Sequence, residues 1–182
     1  MDSVMMPRRL ALVGAECSGK TTLATALARE LPAHYVPEVL REFVDSTGRS
    51  PTKHEQHMIM AGQINAERVA YQQAAISGVP WVCADPCPLM TAVYSIEYFN
   101  DESLLPPAVR HQQTYDLTLW CDVDLPWVPD GAQRDGPQRR LSVDRVIAAV
   151  VADFDLSVVR VHGGPDERLC AALAAVDAMR TY

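Results

Sequence analysis

The chain has 182 residues, 48% of them hydrophobic, and a formal net charge of −7. That is enough for one core, and it argues against a polynucleotide partner, whose site carries excess positive charge. No apolar run reaches the roughly eighteen residues of a membrane span and no cleavable apolar leader is evident, so a single cytoplasmic domain over residues 1–182 is expected. Cys17, Cys83, Cys87, Cys121 and Cys170 form no C-x-x-C pair or cluster with histidine, which suits reduced thiols that mostly fill the core.

In chain order, Arg9 to Val13 reads as a short apolar strand and Thr22 to Leu31 as an Ala/Leu-rich helix. Between them Gly14-Ala15-Glu16-Cys17-Ser18-Gly19-Lys20-Thr21 fits G-x-x-x-x-G-K-[ST] at every fixed position. Glycines let such a loop curl until consecutive N–H groups face one anion, and the following helix adds the positive end of its dipole. Gly14, Cys17, Ser18, Gly19, Lys20, Thr21 and Thr22 are therefore read as the cradle for the phosphates of ATP. Lys20 reaches the β- and γ-phosphates and the Thr21 hydroxyl ligates Mg²⁺. Cys17 lends its backbone, and its side chain is read as a tolerated filler.

Ala33 to Val36 is a second strand. Glu38 and Arg41 follow it, where ligands bind outside the carboxyl ends of a parallel sheet. Asp45 to Arg49 reads as a turn, and Ser50-Pro51 as the cap of a long helix running to about Ser77. His54 and His57 on that helix are read as surface histidines. Val79 to Ala84 is a third strand; Asp85 at its end is the carboxylate expected on the Mg²⁺ side of a phosphate-loop enzyme. Pro88 to Tyr98 is helical, with Thr91, Tyr94 and Ser95 near one face. A break follows, then a short helix from Ala108 to Gln113.

Tyr115 to Cys121 is a fourth strand. The segment 122–140 carries three prolines before Gln138, two glycines, and Arg134, Arg139 and Arg140, the composition of a lid that closes over phosphates. Leu141-Ser142 caps a helix to Phe154, Leu156 to Val161 is a fifth strand, and Pro165 to Met179 is the closing helix. His162-Gly163-Gly164 is expected to pass the nucleotide base. The fold class is α/β, a single P-loop NTPase or kinase domain with a five-stranded parallel sheet flanked by helices and an arginine-bearing lid.

Four motifs together, G-A-E-C-S-G-K-T-T at Gly14 to Thr22, V-P-E-V-L-R-E-F at Val36 to Phe43, D-P at Asp85 and P-W-V-P-D-G at Pro126 to Gly131, resemble the ribosylnicotinamide kinase domain of bifunctional NAD-salvage regulators. Pro37 stands where better-known members carry an aromatic residue. The resemblance implies ATP-dependent phosphorylation of the 5′-hydroxyl of nicotinamide riboside, by the kinase half alone. It implies acceptor contacts from Glu38, Arg41, Tyr94, Trp127 and Asp130. Arg134 would act on the transferring phosphoryl group, with Arg139 or Arg140 as substitutes on the nucleotide. Glu38 is the first choice for the base that takes the acceptor proton and Asp85 the second. The alternatives are a kinase of another nucleoside or nucleotide, or a regulatory ATP-binding module.

Overall fold

The computed structural model describes residues 6–128 and 136–180. Five strands, β1 (Arg8–Val13), β2 (Ala33–Val36), β3 (Trp81–Ala84), β4 (Leu117–Cys121) and β5 (Val159–Val161), form one sheet in the order β2-β3-β1-β4-β5. All four pairings are parallel. β1 lies at the centre, and a parallel sheet covered on both faces demands apolar side chains in both directions. Leu10 and Leu12 point into one buried cluster, Ala11 and Val13 into the other.

The first cluster is closed by α1 (Lys20–Glu30) through Leu23, Ala24 and Leu27, and by α7 (Pro165–Arg180) through Ala172 and Val176. On the opposite face pack α3 (Gln56–Ser77), α4 (Pro88–Phe99), α5 (Leu105–Gln112) and α6 (Pro137–Asp153), with Met60, Val93, Val109 and Ile147 among the buried contacts. The remaining helix, α2 (Val39–Thr47), buries no residue fully and leans on α3 at the carboxyl edge of the sheet. Gly62 permits that approach, since a Cβ there would meet Val39 Cγ1 at 3.1 Å.

Several expected boundaries move, each for a local reason. Asp45 to Thr47 is the last turn of α2, which Gly48 ends in the left-handed region at φ 70°. α3 is preceded by a 3-10 turn, Lys53–Glu55, whose start is Thr52 and not Ser50: Thr52 and Glu55 form a reciprocal capping box reinforced by Arg49. The two prolines before Ala108 open α5 instead of breaking the chain, because the first helical turn needs no N–H from them. The same logic starts α6 at Pro137, so Arg139 and Arg140 sit on its first turn and not on a lid loop. Asp130 and Arg134 lie outside the described residues, as do residues 129–135 generally, and the expected arginine lid is not shown. No helix among the described residues is long and apolar enough to cross a membrane.

Leu12, fully buried in the central strand, is the simplest probe of this packing. Leu12→Ala is expected to cost about 3 kcal/mol through lost burial and the cavity left behind, read as a lower urea midpoint with an unchanged slope.

Candidate active site

Every strand ends at the same edge, and the loops that leave it build the site. Behind Val13 the phosphate loop turns on Gly14 (φ 150°) and Gly19 (φ 83°). A Cβ on Gly14 would meet Ser18 Oγ at 2.7 Å and the Cys121 carbonyl at 2.8 Å, so only glycine fits. Cys17 takes the left-handed region without being glycine, at φ 56°. A loop that points its N–H groups at a ligand points its carbonyls the other way, into the protein, where each needs a donor.

Three cations supply those donors. Lys20 Nζ donates to the Gly14 and Ala15 carbonyls at 2.8 Å each. Arg140 reaches the Cys17 carbonyl at 3.4 Å and those of Val123 and Leu125 at 2.6 and 2.9 Å. Arg168, 2% exposed, donates to the Ser18 carbonyl at 2.9 Å, the Gly163 carbonyl at 2.7 Å and the Asp122 carbonyl at 3.1 Å, and pairs with the Asp124 carboxylate. One guanidinium thus joins the loops after β1, β4 and β5. The side chain of Asp124 closes the same knot: its carboxylate accepts the Gly163 N–H at 2.6 Å, and against a desolvation that raises it, this bond and the Arg168 charge hold its carboxyl below the usual range.

These contacts revise three expectations. Arg140, expected on the cofactor from a lid, is buried and spent on main-chain carbonyls. Arg139 pairs with Glu97 of α4 and lies 5.1 Å over the Tyr98 ring. The Cys17 thiol is no passive filler either, since it accepts the Val128 N–H at 3.3 Å and ties the loop to the segment after β4. Arg168 is not among the residues expected in the site, because an arginine in the first turn of a helix reads as solvated by default. One signal was present. A cation there opposes the helix dipole and so needs another reason to be there.

A cleft adjoins the loop on the β2 and β3 side. It measures about 140 Å³ and is lined by Thr21, Tyr35, Glu38, Arg41, Glu42, Asp45 and Asp85. Glu38 stands at the N-cap of α2, 3.9 Å from Arg41. Desolvation pushes its carboxyl up from the ordinary glutamate value, Asp85 adds to that, and Lys20 and Arg41 pull the other way. Asp85 is 2% exposed; its Oδ2 accepts the Tyr35 hydroxyl at 2.9 Å, while Oδ1 has no partner among the described residues. An orphaned buried carboxylate oxygen sharing a cleft with the Thr21 hydroxyl fits a hard cation. Among the described residues no cluster of three or more His, Cys, Asp or Glu could hold a metal alone. His54 and His57 are exposed.

Tyr94, on α4, borders a small adjoining cavity with Glu38, and burial holds its hydroxyl well above the ordinary tyrosine value. Trp127 is partly buried, its indole N–H unpartnered among the described residues.

A strand, a glycine-bounded loop with its carbonyls tied back, and a helix opening on Lys20-Thr21 define a P-loop nucleotide-binding domain. The family model described as AAA domain matches residues 9–168, and the chain belongs to that family. No curated protein matches the sequence. Solved structures share the fold. A NadR protein in complex with NAD and AMP-PNP superposes with a TM-score of 0.78 at 23% identity, over 97% of this chain and 50% of that one. NadR in complex with NR gives 0.74 at 22%, over 97% and 51%. Thymidylate kinase from Ehrlichia chaffeensis gives 0.66 at 16%, over 95% and 98%. The fold is therefore that of P-loop kinases, and the chain spans about half the length of the NadR chains it matches.

Arg168→Met strands three main-chain carbonyls and one carboxylate. It is expected to lower stability by about 2–4 kcal/mol and to weaken ATP binding, while Arg168→Lys recovers only part of each. Chemical denaturation and nucleotide titration of the same preparations check it.

Proposed function

We propose that this chain is an ATP-dependent kinase that phosphorylates the 5′-hydroxyl of nicotinamide riboside to give nicotinamide mononucleotide. The observation that carries the proposal is the cleft in which Thr21 of the phosphate loop, Glu38 and Asp85 meet. The likeness in fold to NadR with NR bound supports the choice of acceptor.

In this reading the loop N–H groups hold the ATP phosphates, and Lys20 exchanges the Gly14 and Ala15 carbonyls for β- and γ-phosphate oxygens. Thr21 and the Asp85 Oδ1 would hold Mg²⁺, which when bound offsets charge between the β- and γ-phosphates. Glu38 orients the acceptor hydroxyl and takes its proton late; burial raises its carboxyl pKa above the ordinary glutamate value, which makes its carboxylate a stronger base. With Arg139 and Arg140 engaged by Glu97 and by main-chain carbonyls, Arg134 is the arginine assigned to the transferring phosphoryl group. Trp127, Asp130, Arg41 and Tyr94 are assigned to the acceptor.

Whole-chain likeness to thymidylate kinase keeps a nucleotide acceptor as a second reading. The cleft disfavours it. Glu38, Glu42, Asp45 and Asp85 outnumber Arg41 along its walls, and an acceptor phosphate there would meet mostly carboxylates. A cationic nucleoside suits the same field.

A screen of nucleosides for ADP formation tests the assignment; turnover with nucleoside monophosphates only would overturn it. Lys20→Ala is expected to reduce turnover by about a thousandfold or more, with a somewhat lower melting temperature because the Gly14 and Ala15 carbonyls lose their donor. The pH profile checks Glu38. kcat/KM should rise through an ionisation above the ordinary glutamate value of 4.5 as the carboxylate forms, and Glu38→Gln should flatten that limb, lower kcat and raise the KM for the nucleoside but not for ATP. A profile unchanged by Glu38→Gln transfers the base role to Asp85.

A further inference from the structure

Glu38 owes its place to a residue twenty-five positions along the chain. Its own side chain makes no capping bond to α2. The first N–H of that helix, on Val39, is one of the donors a helix cannot satisfy internally. Gln63 of α3 satisfies it: Oε1 accepts the Val39 N–H at 3.0 Å. The preceding residue, Gly62, permits the approach that makes this bond possible.

That bond also orients the Gln63 amide. Turning it over would set an NH₂ against an N–H, so the oxygen faces Val39 and the nitrogen faces away. Gln63 is 3% exposed, and its Nε2 has no partner among the described residues. It lines the small cavity next to the main cleft, with Glu38, Thr91, Tyr94, Ile59 and Met90 around it. The cavity measures about 10 Å³, room for one water-sized group. Glu38 lines both this cavity and the larger cleft, so the two adjoin at this residue.

We infer that Gln63 recognises the phosphoryl acceptor: its Nε2 donates to one oxygen of the acceptor seated in this side cavity, while its Oε1 positions Glu38. The inference rests on the nucleoside-kinase reading. A buried amide N–H is costly to leave unpaired, so a site built around one rejects analogues that lack the matching oxygen. On a nucleoside that oxygen is either the carbonyl of a base substituent or a ribose hydroxyl, and both present the same acceptor to Nε2.

The test compares nicotinamide riboside, the riboside of unsubstituted pyridine and the 2′-deoxyriboside of nicotinamide as acceptors for the wild-type protein, Gln63→Met and Gln63→Glu. Wild type is expected to lose about tenfold or more in kcat/KM on whichever analogue lacks the recognised oxygen. Gln63→Met also strips the Val39 N–H of its acceptor and so should slow every acceptor, but it should lose a further, similar factor on the full acceptor and not on that analogue, so that discrimination collapses, with the KM for ATP unchanged. Gln63→Glu keeps an oxygen toward the Val39 N–H while removing the donor, and should show the same collapse if Gln63→Met folds poorly. Collapse on the pyridine riboside identifies the carbonyl, and on the deoxyriboside the hydroxyl. A wild-type protein that turns over nucleosides, with both variants discriminating as it does, overturns the role of Gln63 alone. A wild-type protein that forms no ADP with any nucleoside overturns the inference together with the reading beneath it.

Discussion

A phosphate loop has a fixed geometric debt: for every N–H it aims at the ligand, a carbonyl is aimed at the interior. In water those carbonyls would be hydrated, but here Gly14 is buried and Ser18 has no exposed surface. Lys20, Arg140 and Arg168 meet the requirement with charged donors, which form stronger hydrogen bonds than neutral ones. The positive charge they bring lies directly beneath the site where phosphates would sit. The same groups that satisfy the backbone therefore also set the electrostatics of the loop.

Two of the three occupy equivalent places in the chain. α6 and α7 each begin with proline, and each carries arginine at its fourth position, Arg140 and Arg168. From there each side chain reaches back over its helix start to the loops at the strand ends, as side chains in a helix incline toward its N-terminus. The result is a brace on the loop from both faces of the sheet. α7 belongs to the face closed with α1, and α6 to the opposite one. Asp122, Asp124 and Gly163 are drawn into the same brace, so the loops after β4 and β5 are held at a set height relative to the phosphate loop.

Across the cleft the balance reverses. Carboxylates dominate, and Asp85 adds to the effect of burial in raising the pKa of both Glu38 and Tyr35, which opposes their ionisation. Glu38 is set between these anions and the two cations Lys20 and Arg41, with burial outweighing both. A group in that position is sensitive to what enters the cleft, because added positive charge favours its ionised form and added negative charge opposes it. The site thus separates a positive half at the phosphate loop from a negative half in the adjoining cleft, which Glu38 lines.

Much of this was legible in the sequence, because the signals were local. The order strand, G-x-x-x-x-G-K-T, helix placed the loop, and apolar runs of four to six residues placed the other strands of a parallel sheet to within a few residues. Carboxylates just past strand ends marked Glu38 and Asp85, since a parallel sheet delivers all its strand ends to one edge. Helix α2 was not legible: Val39, Leu40, Phe43 and Val44 recur at helical spacing, but over only nine residues, and Asp-Ser-Thr-Gly at its end resembles a turn. Arg139 and Arg140 showed their charge but not their partners, as composition cannot say whether an arginine meets a ligand or a carbonyl. Arg168 carried only one faint mark, a cation at the positive end of a helix dipole, and Gln63 carried none. Their roles arise only when loops from distant strands converge, leaving Arg168 150 residues from the Ser18 carbonyl it holds and Gln63 24 residues from the amide it caps. The sequence alone determined which residues have the chemistry to bind a phosphate or take a proton. Only the tertiary structure decided which buried polar groups must be satisfied by which partners, because that is settled by proximity in space and not by spacing along the chain.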